Sequence, residues 1–409
     1  MNGSGLWRLK TFLFSFLMVG FTGGALNGQD SFKLKLESGQ PVTIVCFGDS
    51  VTGLYYHTGG RRTYTDMLGM ALRQAFPDAK VTLVNAGVSG NTVQEGLTRI
   101  DRDVLAHNPD LVTVMFGLND MLKTPLEDYR KDLVALLERC RSVDAEVLLC
   151  TPNAITDTSN RSTEELLKYC QAMREVAREH QTPLCDTFAA FEALRKKNHL
   201  KWRLMMSDAL HPNMAGHKYI AEQISSSLVG RSVSLSDIGP PTPSIPKTIA
   251  LLNNNQPVRV LAMPPYDQLI KTSIAKHFAT AKLEVSSWDT EAKSLHQLEQ
   301  EAHQRVREMK PDLVILAMPR SAAADSQEAF INSTTWIMNW SLSFGRQEWD
   351  CLVVHPSVAN PDSSDVDKDD LIRKLTAAQD LSLIDRQAGN HQATAEIFAD
   401  WLLSELEQN

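Results

Sequence analysis

The sequence predicts a doubly wound α/β sandwich, built twice in one chain. Short, continuously apolar runs alternate with amphipathic helical stretches, and proline and glycine mark the boundaries between them. The same succession then restarts beyond a proline-rich break around Gly239–Pro246. Apolar runs without alternation point to strands covered on both faces, as in a parallel sheet.

In chain order, residues 1–28 read as a secretory signal peptide. Arg8 and Lys10 supply the positive end, and Phe12 to Phe21 form an apolar stretch too short to span a bilayer. Gly23-Gly24-Ala25 offers a small-residue cleavage site, so the expected location is secreted or periplasmic. An uncleaved interfacial anchor is the alternative. Residues 29–230 form the first domain, with strands expected over Val42–Phe47, Val81–Asn85, Leu111–Phe116, Val147–Thr151 and Pro183–Asp186. Helices are expected over Tyr64–Ala75, Thr92–Ala106, Leu126–Arg141, Thr163–His180 and Met214–Leu228. Asn108-Pro109-Asp110 closes the second helix, because the residue before a proline leaves the helical region. Residues 231–256 read as a linker, extended through its prolines.

Residues 257–409 repeat the plan. Pro257–Tyr266 can be laid over Pro41–Ser50, and Lys310-Pro311-Asp312-Leu313 over Asn108-Pro109-Asp110-Leu111. Trp349–His355 matches the strand ending at Thr151, and Ala393–Leu403 the last helix. Two unrelated α/β units sharing such patterns is the plainer explanation; the recurrence of strands in the same order favours an internal duplication.

Composition limits the function. At 409 residues the chain exceeds one ordinary core, and 43% hydrophobic with 22% charged residues is the balance of a globular protein. A formal charge of −8 argues against nucleic acid or an anionic membrane surface as main partner. The six cysteines show no zinc-site spacing. Cys46, Cys150, Cys185 and Cys351 lie in apolar strand-like runs, and Cys140 and Cys170 in helical patterns, so all six read as packing thiols. A Cys140–Cys170 bridge is the one alternative pairing, open only if the fold brings the two together.

Four short segments carry the chemistry. Gly48-Asp49-Ser50 ends the first strand, and Ser89-Gly90-Asn91 follows the second. Gly117-Leu118-Asn119-Asp120 follows the third, and Asp208-Ala209-Leu210-His211-Pro212 precedes the last helix. In a parallel α/β sheet, strand ends and the loops after them form the ligand site. Acyl transfer needs a nucleophile, a base, a group that orients the base, and donors for an oxyanion. Ser50, His211, Asp208, and Asn119 with the backbone near Gly90 supply these in turn. Taken singly, Gly-Asp-Ser is more often an ordinary turn, Asn119 suits a turn and Asp208 a helix-entry cap; their order and placement make the functional reading. His57, Arg61 and Arg62 follow Ser50 in a Gly-rich loop within reach of substrate, although a solvated loop suits the arginines better. His217, on the last helix, reads as structural.

On these segments, residues 41–229 resemble the SGNH, or GDSL-type, serine hydrolases, whose four marker residues match Ser50, Gly90, Asn119 and His211. The resemblance implies a flavodoxin-like three-layer sandwich, an acyl-serine intermediate and metal-free, cofactor-free ester hydrolysis. In the second copy Tyr266 stands for the serine and Ser321 for the asparagine, and no glycine occurs between Gly239 and Gly345. That copy is expected to be inactive. The expected function is deacetylation of extracellular carbohydrate. A lysophospholipase or other acyl-lipid esterase, and a non-catalytic glycan-binding protein, are the competing readings.

Overall fold

A computed structural model describes residues 28–53, 56–345, 347–362 and 365–407. The signal-peptide segment lies outside the described residues but for its last, Gly28. Five parallel strands form the first sheet: β1 (Pro41–Gly48), β2 (Lys80–Gly87), β3 (Leu111–Met115), β4 (Glu146–Cys150) and β5 (Leu184–Cys185), in the order 2-1-3-4-5. The second sheet comprises β6 (Val258–Ala262), β7 (Leu283–Ser287), β8 (Leu313–Leu316), β9 (Asp350–Val354) and β10 (Ser382–Ile384). Its order, 7-6-8-9-10, is that of the first sheet strand for strand, again all parallel. Helices cover both faces of each sheet, so the duplicated α/β architecture is present.

The helices follow local chemistry. Tyr64–Ala75 starts at Thr63, whose side chain and Asp66 form a capping box. Leu126–Arg141 follows Pro125, Thr163–Glu179 follows the capping Ser162, and Met214–Val229 runs from Asn213 to Gly230, a left-handed cap. Three expectations need correction. The predicted helix Thr92–Ala106 is broken into Val93–Leu97, Ile100–Asp103 and a 3₁₀ turn, Leu105–His107. Arg99 sits at the break and turns inward, its guanidinium donating to Ala86 O at 2.7 Å and Gly48 O at 3.0 Å. β2 is not covered on both faces: as an edge strand it leaves most of its residues part-exposed. The stretch read as linker ends early, because Pro246–Asn253 is a helix that buries Thr248, Ile249 and Leu252 in the second half. Helices Gly28–Glu37, Thr187–Lys197 and His199–Arg203 had no sequence expectation.

Matching polar clasps recur in the two halves. Asp110 accepts from Thr43 N at 2.7 Å, and Asp312 accepts from Arg259 N at 2.9 Å, each pinning the third strand to the first. Asn108 and Lys310, two residues earlier, both adopt the left-handed conformation, at φ 48° and 46°. Glu146 accepts from Phe32 N, and Asp350 from Thr248 N, so a carboxylate at the start of the fourth strand takes a backbone N–H of the helix preceding the first. Arg174 grips Asp186 through two bonds, as Arg373 grips Asp385. All six cysteines are buried and free.

The halves meet along helix Met214–Val229 and the loop after Ser50. Asp380, 2% exposed, takes Lys218 Nζ at 2.6 Å and Arg62 at 3.0 Å, and Arg61 donates to the backbone of Gln379 at 2.6 Å. Arg61 and Arg62 are therefore neither solvated nor turned to substrate; they fasten one half to the other.

Candidate active site

Ser50 opens a one-turn helix, Ser50–Gly53, directly after β1. This turn lies against the end of β2: a Cβ on Gly87 would fall 2.2 Å from Gly53 N, so neither glycine tolerates a side chain. The Ser50 hydroxyl is thereby held at the strand end. Its Oγ lies 2.9 Å from His211 Nε2, and His211 Nδ1 lies 2.9 Å from Asp208 Oδ2. The other Asp208 oxygen accepts from Leu210 N and His211 N, both at 2.7 Å, which fixes the carboxylate within its own turn. Burial pushes the Asp208 carboxyl up, but the hydrogen bonds and electrostatic pull of His211 outweigh it and hold it well below the carboxylate range.

Asn119 sits at the end of β3, 8% exposed, its Nδ2 donating to Asn91 O at 3.1 Å and lying 3.5 Å from Asp49 Oδ2. Gly90 adopts φ +79°, where a side chain would be strained although space is open. Its carbonyl accepts from Lys123 Nζ at 2.6 Å. Asp120 Oδ1 accepts from Val93 N at 2.9 Å, joining this loop to the end of β3. Burial raises Asp49 to about 6 and Asp120 to about 7, and the Asp49 charge adds to the rise of Asp120. The structure thus brings Ser50, His211 and Asp208 into one hydrogen-bonded line, with Asn119 beside it through Asp49 and Gly90 on the adjoining loop.

His57 is not a substrate contact. It is 1% exposed, stacked on the His211 ring with centroids 4.8 Å apart, and its Nε2 lies 3.3 Å from Asp208 Oδ2. Two imidazoles therefore share one carboxylate oxygen. Burial lowers His57 to about 3 despite Asp208, and lowers His217 likewise to about 3. His217 accepts from Tyr64 N at 3.1 Å, a structural bond at the start of that helix. His57, Asp208 and His211 are the one group of metal-ligating side chains clustered among the described residues. In this group His211 Nδ1 lies 2.9 Å and His57 Nε2 3.3 Å from the same Asp208 oxygen.

Residues 46–219 match the model of the GDSL-like lipase/acylhydrolase family. This stretch belongs to that family. It is a serine ester hydrolase domain, and it occupies the half of the chain that holds Ser50. The GDSL-like domain is similar to an acetylxylan esterase of Geobacillus stearothermophilus, 28% identical over 46% of this chain and 93% of the relative. It is 27% identical to thioesterase 1/protease 1/lysophospholipase L1 of Escherichia coli K12, over 46% and 83%, and 26% identical to an arylesterase of Vibrio mimicus, over 48% and 94%. A crystal structure of an acetyl xylan esterase, AlAXEase, aligns with 26% identity and TM-score 0.41, covering 46% of this chain and 99% of that one.

Sequence reasoning missed how the second half reaches the GDSL-like site. Asn339, on helix Gln327–Ser341, accepts from Ser207 Oγ at 2.7 Å and donates to Ser207 O at 2.9 Å. Ser207 Oγ is also 2.9 Å from His57 Nδ1, and Gln379 donates to Asn339 at 3.0 Å. The contact closes across 132 residues, a separation at which no local spacing signals a pairing.

Proposed function

We propose that this protein is a secreted esterase that removes acyl groups, acetyl foremost, from carbohydrate, using Ser50, His211 and Asp208. The observation that carries the reading is the line Ser50 Oγ–His211–Asp208, with both gaps 2.9 Å. His211 Nε2 takes the Ser50 proton as Oγ attacks the acyl carbon, while Asp208 keeps the other ring nitrogen protonated and correctly turned. The oxyanion rests on the Ser50 and Gly90 N–H groups and on the Asn119 amide. His211 passes its proton to the departing alcohol, and a water then releases the acid by the same route.

An acetylxylan esterase among the relatives supports the carbohydrate substrate, and the N-terminal 28 residues support secretion. The relative named for thioesterase and lysophospholipase activity supports the rival, an acyl-lipid ester. A glycan-binding protein without catalysis fits a triad so disposed poorly. We further assign residues 246–409 as a degenerate second copy without hydrolysis of its own. Tyr266 opens a helix just after β6, as Ser50 does after β1, but it is 1% exposed and packed on Phe398.

A fluorophosphonate probe tests the mechanism: wild-type protein should be labelled and Ser50→Ala should not, with hydrolysis falling by roughly 10³-fold or more. A folded Ser50→Ala protein with near-normal turnover would remove the proposal. Rates on O-acetylated xylan against lysophospholipid choose between the substrates.

A further inference from the structure

We propose that the cleft between the two halves binds the carbohydrate chain that carries the ester, and that the second half supplies one of its walls. This rests on the hydrolase reading above. The cleft measures about 1190 Å³. Its near wall is the loop after β4 and the chain from Arg195 to Leu210; its far wall is made of helices Leu295–Met309 and Gln327–Ser341.

Its position follows from two contacts. Arg161 lines it and donates to Leu118 O at 3.2 Å, beside Asn119. Asp208 and Leu210 also line it; both precede His211 in the chain, and Asp208 holds its ring by hydrogen bond. The cleft therefore adjoins the Ser50 site through Asp208, Leu210 and Arg161, while Ser50 and His211 themselves lie beyond its lining. Sites for drug-sized ligands span about 300–1,000 Å³, so this volume is far more than a few-atom acyl group fills. The space serves the alcohol part of the ester.

The lining states what kind of alcohol. Asp157 and Asn160 stand on one wall, Glu299 and Asn332 on the other, and Trp336 beside them is part-exposed. Trp336 stacks on Trp340 with centroids 5.3 Å apart, which holds its ring in place. A sugar ring presents a C–H face to an aromatic plane and hydroxyls to planar amides and carboxylates, so the set is complementary to it. A fatty chain in the same place would strip water from these polar groups and return no hydrogen bonds. The far wall is held rigidly to the near one: Arg203 donates to Glu328 at 2.7 Å and also to Asn332, and Asn339 holds Ser207.

The test uses the full chain, wild type and Trp336→Ala, on an O-acetylated xylo-oligosaccharide, an acetylated monosaccharide and 4-nitrophenyl acetate. Wild type should show a lower KM for the oligosaccharide than for the monosaccharide. Trp336→Ala should raise the oligosaccharide KM about three- to tenfold, the range expected for one lost ring contact, and leave 4-nitrophenyl acetate kinetics within about twofold. Should Trp336→Ala fail to fold, Asn160→Ala on the exposed near-wall loop should still raise the oligosaccharide KM about twofold or more. An unchanged oligosaccharide KM overturns the proposal, as does an equal loss on all three substrates in a folded variant. If wild type cleaves no ester, the hydrolase reading falls. Binding of the deacetylated oligosaccharide, followed by tryptophan fluorescence and lost in Trp336→Ala, then decides the cleft by itself.

Discussion

Asp208→Asn tests the proposed mechanism at its most constrained point. The amide oxygen of Asn can keep both bonds from Leu210 N and His211 N, so the turn should survive. The amide nitrogen then takes the place of Oδ2, facing His211 Nδ1 at 2.9 Å and His57 Nε2 at 3.3 Å. Two donors meet unless His211 gives up its Nδ1 proton. A neutral ring has one proton, which moves to Nε2, the atom 2.9 Å from Ser50 Oγ. Nε2 would then donate to the hydroxyl and could not receive its proton. Wrong-tautomer losses of this kind are about 10⁴-fold in kcat, or about 5 kcal/mol of transition-state stabilisation. Initial rates on 4-nitrophenyl acetate, with circular dichroism to establish folding, measure the effect, and fluorophosphonate labelling should slow in parallel. His57→Phe leaves the Asp208–His211 bond in place and should cost no more than about tenfold. A folded Asp208→Asn protein retaining more than about a tenth of wild-type kcat would show that Asp208 does not set the His211 tautomer.

Asn119→Ala should lower turnover by about 10²–10³-fold with a smaller change in KM; an effect confined to KM would place Asn119 on the ground-state substrate. Tyr266→Phe should leave turnover unchanged and stability equal or higher, because the hydroxyl is buried without a hydrogen-bond partner among the described residues. Loss of activity in that variant would give the second copy a chemical role; Tyr266→Ala is a poorer probe, since truncating a buried aromatic costs about 3–5 kcal/mol. His217 is held to about 3, so between pH 6.5 and 3 the unfolded chain takes up a proton that the folded chain refuses, and stability falls as pH falls. His217→Gln removes that one slope, about 1.4 kcal/mol per pH unit, so guanidinium unfolding at pH 6.5 and pH 5 should show the variant gaining about 2 kcal/mol on wild type; a pH-independent difference would refute the buried neutral ring.

Most of the first sheet was readable because each buried strand is an apolar run closed by a turn, as Leu111–Met115 is between Pro109 and Gly117. Helices with a stripe and a cap, such as Leu126–Arg141, agree to the residue. The break at Arg99 was not readable, since a helical pattern does not show that one arginine will turn inward to serve two strand-end carbonyls. The helix Pro246–Asn253 was hidden by its prolines, although proline at the first position of a helix is favourable. At the site, Ser50, Asn119, Asp208 and His211 announced themselves by standing at strand ends and a helix entry. His57 was misplaced because its partners, Asp208 and Ser207, come from 150 residues away and assign it to support.

The duplication separates what holds this fold from what the fold does. The paired clasps, Asp110 with Asp312, Glu146 with Asp350, and Arg174–Asp186 with Arg373–Asp385, all bind backbone or one another at strand ends and helix starts. Losing the carboxylate that takes Thr43 N, Arg259 N or Thr248 N would leave a backbone donor unpaired, at a cost of about 1–3 kcal/mol, whereas the part-exposed Arg–Asp pairs are worth less. On the proposed reading of the second half, Tyr266 and Ser321 stand where Ser50 and Asn119 stand in the first, so that half dispenses with these two side chains. What the second copy carries instead faces outward to the first: Asp380 between Lys218 and Arg62, Glu328 on Arg203, and Asn339 on Ser207. Each of these contacts reaches a segment that adjoins the Ser50–His211–Asp208 line. If the second half is the copy without hydrolysis proposed above, its surface serves the neighbouring site, and loosening these contacts should disturb substrate binding before it disturbs the fold of the GDSL-like domain.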